Sequence, residues 1–89
     1  IPTGLPALLL AAKMHYRVTH GGVQLPPGEP STRGLAARAL DEVGTDGVGD
    51  LLLALATGAL DRGIDPESAL RGALRAHAER VRSAESGSV

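Results

Sequence analysis

The chain has 89 residues, with 9 basic and 10 acidic side chains and a net charge of −1, so one small domain is expected and no basic patch marks a nucleic-acid partner. Hydrophobic residues make up 43%, yet there is one Tyr and no Phe or Trp, so any core must be built from Leu, Ala, Val and Ile in close-packed helices. The absence of cysteine excludes disulfides, Cys-based zinc sites and a thiol nucleophile.

Leu5 to about His20 reads as a first helix, with Pro6 in its first turn and Leu8, Leu9, Ala11, Ala12, Met14 and Val18 as a broad apolar set. Lys13 and Arg17 stand four apart on one face, and Gly21-Gly22 ends the helix. Val23 to Pro30 is dense in helix breakers and reads as a loop. Ser31 or Thr32 is the expected cap of a second helix to Val43, with Leu35, Ala36, Ala39, Leu40 and Val43 on its apolar face. Gly44 separates it from Thr45 and Asp46, the expected cap and first acid of a third helix over 45–62.

Within that third helix, Leu51-Leu52-Leu53-Ala54-Leu55-Ala56 is apolar around the full circumference, which predicts a central helix, buried against a second chain. Gly63-Ile64-Asp65-Pro66-Glu67 combines a helix-ending Gly, an Asp cap, Pro at the first helical position and an acid in the first turn. A fourth helix over 65–85 follows, with Ala69, Leu70, Ala73, Leu74, His77 and Val81 recurring at threes and fours. Four helices with short connections predict an all-α bundle. Its apolar runs fall short of the ~20 residues a membrane span needs, and a cytoplasmic location is the default expectation. The chain begins at Ile1, so it reads as a fragment of a longer protein.

Three stretches carry a family resemblance. Leu5-Pro6-Ala7-Leu8-Leu9-Leu10-Ala11-Ala12-Lys13, followed by Arg17, is similar to an L-P-A-L-x-x-A-x-K opening; Val48-Gly49-Asp50-Leu51-Leu52 is similar to E-x-G-D-L-L; and Gly63 to Arg71 is similar to G-I-D-P-E-x-A-L-R. In this order they resemble the carboxy-terminal domain of the MazG-like nucleoside triphosphate pyrophosphohydrolases. The resemblance implies a four-helix bundle of the MazG-like type, completed by dimerisation. It further implies magnesium-dependent hydrolysis of a nucleoside triphosphate to monophosphate and pyrophosphate, with carboxylates as metal ligands. Under it, Asp50 is the metal candidate that matches the motif, Asp46, one turn earlier, is a candidate substitute for its missing partner, and Lys13 and Arg17 are the phosphate candidates.

The family's pattern is broken at four places. Gly47 stands where the metal-binding Glu precedes Asp50 by three, and Arg33 to Leu40 contains no carboxylate where an acidic run is expected. Asp41 and Glu42 fall too late to replace it, Leu74 and Ala76 take the positions of a phosphate-approaching Asn and Lys, and Val23-Gln24-Leu25 replaces an aromatic, acidic loop. Such selective loss implies a retained scaffold without catalysis, pairing chains or supporting an active domain elsewhere in the parent protein. Two other readings stay open: an active magnesium-dependent pyrophosphohydrolase completed by a partner chain, and an unrelated helical adaptor.

Plainer roles compete with each candidate. Asp46 and Asp50 suit the positive end of a helix dipole, and Lys13 and Arg17 suit a solvated face. His15, His20 and His77 share no ligand spacing. Ser31, Thr32 and Ser68 are explained by capping.

Overall fold

The computed structural model describes residues 6–21 and 26–87, with side chains as far as residue 84. Among the described residues the chain is all-helical: α1 (Ala7–His20), α2 (Pro30–Val43), a 3-10 turn (Thr45–Gly47), α3 (Val48–Asp61) and α4 (Pro66–Gly87). No single helix is long and apolar enough to cross a membrane. The chain divides into two compact units, one of Ile1–Pro27 with Glu67–Val89 and the other of Gly28–Pro66.

The first unit joins α1 to α4. Pro6 occupies the N-cap of α1 in an extended conformation, one residue outside the helix rather than inside its first turn, and no side chain from its own segment caps that end. The missing acceptor comes from sixty residues away. The Oε2 of Glu67, in the first turn of α4, accepts the Ala7 N–H at 2.8 Å and also accepts Arg71 Nη2 at 3.0 Å. Ala7 is fully buried, and Val18 and His77 are the other buried residues among those described. At its far end α1 closes on Gly21; Gly22 and the Val23 to Leu25 part of the expected loop lie outside the described residues.

The second unit is a helical hairpin bent by 107° between α2 and the segment that follows it. Two caps differ from the sequence expectation. Glu29 is the N-cap of α2 and Pro30 its first residue, because a proline is favoured at N1 where its lack of an N–H is harmless; Ser31 and Thr32 therefore lie inside the helix. Thr45 makes no capping hydrogen bond and instead opens the 3-10 turn, so regular α-helix begins only at Val48. Gly44, at φ 70° and ψ 179°, makes the corner in a region nearly confined to glycine. Its N–H closes α2 on the Leu40 carbonyl at 2.9 Å.

The end of α3 is as expected. Gly63, at φ 77°, donates to the Leu60 carbonyl at 3.0 Å while Ile64 donates to Ala59 at 2.9 Å. This paired bonding is the Schellman arrangement, with Arg62 as the C-cap and glycine at the position after it. What differs is burial: neither α2, the 3-10 turn nor α3 contains a buried residue. Taken by itself, this unit does not bury any residue of Leu51 to Ala56, and Leu53 and Leu55 are 62% and 63% exposed.

The Glu67 contact gives a direct stability test. Glu67→Ala removes a charged acceptor from a helix N-terminus and an i,i+4 ion pair, which costs about 1–2 kcal/mol. Glu67→Gln keeps an acceptor and should lose less. Urea unfolding of the three proteins checks the order; equal stability for wild type and Glu67→Ala would contradict this capping role.

Candidate functional site

Lys13 and Arg17 lie one turn apart on α1, both exposed, as their spacing implies. Folding adds partners that the linear sequence does not bring near them. Arg71, Arg75 and Arg82 of α4 line, with Lys13 and Arg17, a groove of about 1020 Å³ that no acidic side chain among the described residues lines. Its apolar floor comes from Leu10, Met14 and Val18 of α1 and Leu74, Ala78 and Val81 of α4. Arg71 and Arg82 are also paired with Glu67 and Glu79 on their own helix. Among the described residues, Lys13, Arg17 and Arg75 make no ion pair.

This groove is the feature that sequence reasoning missed. Arg71, Arg75 and Arg82 read as the solvated remainder of an amphipathic helix. Their spacing of four and seven was the available signal, since it places all three along one edge.

The acidic candidates belong to the other unit. Asp46 sits in the 3-10 turn and Asp50 in the first turn of α3, and both are exposed. Among the described residues no three His, Asp or Glu side chains gather as a metal site. Magnesium takes six oxygen ligands in near-octahedral geometry, so two aspartates would leave most positions to water.

Gly47 sharpens the point. A Cβ placed there would lie 2.7 Å from the Cβ of Val43, closer than non-bonded carbons approach. A glutamate at this position, as the resembled family has, requires the corner between α2 and α3 to shift. The donor set present does not fit a dedicated magnesium site.

His77 is the one buried polar residue among those described, 5% exposed, and its Nδ1 has no hydrogen-bond partner there. Burial holds its pKa below the ordinary histidine value, and the positive charge of Arg80 and the neighbouring His15 push in the same direction. Neutral imidazole therefore suits the interior between α1 and α4. This is a packing role, and His15 and His20 remain exposed.

Comparison with known proteins adds one relative. Over 85 residues, 96% of this chain, the sequence is 41% identical to an uncharacterized 26.1 kDa protein in the blaB 3' region of Streptomyces cacaoi. The chain spans 29% of that protein's length. No family model matches the chain, and no solved structure matches it.

The His77 environment predicts a pH dependence whose sign follows from linkage. With the folded pKa below the unfolded one, the unfolded state binds the proton first as pH falls. The stability from neutral His77 is complete above the ordinary histidine value of ~6.5 and is lost as pH falls through it toward the lowered folded value. His77→Leu removes the buried, unpartnered nitrogen together with this dependence. Thermal melts at pH 7.5 and 5.5 should show a larger drop for wild type than for His77→Leu, and equal drops would refute the assignment.

Proposed function

We propose that this chain is a relative of the MazG-like nucleoside triphosphate pyrophosphohydrolases that serves as a non-catalytic dimerisation or support domain within a longer cytoplasmic protein. The three ordered motif stretches support the relationship. One observation carries the assembly role: the second unit has no buried residue although α3 is the most apolar helix of the chain. Leu53, Leu55 and Leu60 each leave more than half their surface exposed. Covering the remaining surface of one such leucine contributes about 1 kcal/mol, so a partner that buries several of them supplies what the small interior lacks. On this reading the four-helix bundle is completed by a second chain or by another domain of the parent protein.

The loss of catalysis rests on the donor set. Asp50 is the one acid left at its expected place, Asp46 stands beside the other, Gly47 offers neither a carboxylate nor room for one, and residues 33–40 carry no acid. The basic groove favours a second reading, an active pyrophosphohydrolase in which Lys13 and Arg17 meet the phosphates and a partner chain supplies further metal ligands.

Titrating the folded chain with magnesium and a panel of nucleoside triphosphates, read by heat of binding and pyrophosphate release, separates the two. The non-catalytic reading expects no release and no saturable magnesium-dependent binding. Release that disappears in Asp50→Ala would establish the second reading instead.

A further inference from the structure

We infer that the groove between α1 and α4 is a binding site for a long-chain carboxylate, its head held by Lys13, Arg17 and Arg75 and its alkyl chain laid along the apolar floor. Every residue involved belongs to the unit of α1 and α4, so the site does not depend on the assembly reading.

Charge selects the head. This unit carries six bases and three acids in a chain whose net charge is −1. Of the bases on the groove, Arg71 and Arg82 are matched by Glu67 and Glu79, whereas Lys13, Arg17 and Arg75 make no ion pair among the described residues. Their levels coincide. Counted from the joined helix starts at Ala7 and Glu67, Lys13 lies about 9 Å and Arg17 about 15 Å along α1, and Arg75 about 12 Å along α4. Three unpaired cations thus share about 6 Å of groove length on two opposite walls. An anion between them relieves their mutual repulsion, and a carboxylate accepts charge-assisted hydrogen bonds from both ammonium and guanidinium groups.

The floor selects the chain. Leu10, Met14, Leu74 and Val81 line the groove and are each only half-buried, so part of their apolar surface is open to it. Covering that surface with hydrocarbon releases water at a gain proportional to the area covered. A small anion alone reaches the cations and leaves the floor wet.

The cross-section selects an extended chain over a helix. Leu10 to Gly21 is about 16 Å of helix, so 1020 Å³ spread along it gives a mean section of about 60 Å². A helix with its side chains is about 10 Å or more across, a section of roughly 80 Å² at least. The groove is too narrow to enclose one. Its volume is that of sites for small molecules, which pair an apolar lining with a few placed polar groups.

Dodecanoate is the probe that tests this, with acetate as the head alone and dodecyltrimethylammonium as the same chain of opposite charge, each below its micelle-forming concentration. Tyr16 lines the groove and the chain has no other Tyr, Phe or Trp, so intrinsic fluorescence reports from this site while calorimetry gives the stoichiometry. Dodecanoate should bind at one per chain, at least about tenfold tighter than either control. Arg75→Glu should weaken it by more than about tenfold, because an anion then faces the carboxylate. Arg38→Glu makes the same charge change in the other unit and should leave binding unaltered. Arg75 is exposed, and circular dichroism checks that its variant keeps its helices.

Acetate binding as tightly as dodecanoate would reduce the groove to an anion site, and equal binding of the cationic amphiphile would reduce it to an apolar surface. Dodecanoate binding unchanged in Arg75→Glu would place the ligand elsewhere on the chain. Any of these results, or no binding at all, overturns the assignment.

Discussion

The Glu67 carboxylate is the contact on which the α1 and α4 unit depends. An α-helix begins with N–H groups that have no partner inside it, and α1 is preceded by a proline that provides no side-chain acceptor. The first turn of α4 supplies one, and Arg71 holds the same oxygen from one turn further on. Two segments sixty residues apart are thereby joined at their helix starts, where Ala7 is buried, and Val18 and His77 are buried further along α1 and α4. The basic groove is a consequence of that placement, because Lys13 and Arg17 come to share a wall-and-rim arrangement with Arg71 and Arg75.

Small interior volume is the second constraint. With no Phe or Trp, the buried residues among those described are an alanine, a valine and a histidine, and the most apolar helix has none. A domain of this size has little surface to bury on its own account. Exposed leucines on α3 are the mark of that shortage, which is why the proposed role is assembly.

Much of the helical organisation was legible in the sequence, since it rests on local chemistry. Gly63 followed by Ile64, Asp65 and Pro66 encodes a helix end and a helix start within four residues, and both occur where the pattern places them. Pro30 shows the limit: Ser31 and Thr32 have the side chains of caps, but the fixed φ of the preceding proline starts the helix first. The 3-10 turn at Thr45–Gly47 depends on the Gly44 corner, a backbone choice that residue types alone do not distinguish from a simple cap. For the candidate site, Lys13 with Arg17 and Asp46 with Asp50 were readable as pairs because each is local. Arg75 gained its setting only from tertiary structure, and the obstruction at Gly47 comes from Val43 across the corner. His77 was readable as a member of an apolar face, while its unpartnered Nδ1 was not.

The most direct measurement of the account is amide hydrogen exchange across Leu51 to Leu60 as a function of protein concentration. Coverage of α3 by a second copy predicts that protection there rises as concentration increases through the association range. The amides of Ala59 and Leu60 should follow the same dependence as those near Leu53. Exchange in α3 that is independent of concentration, in a chain whose α1 and α4 amides are well protected, would contradict the claim that this helix is buried by self-association.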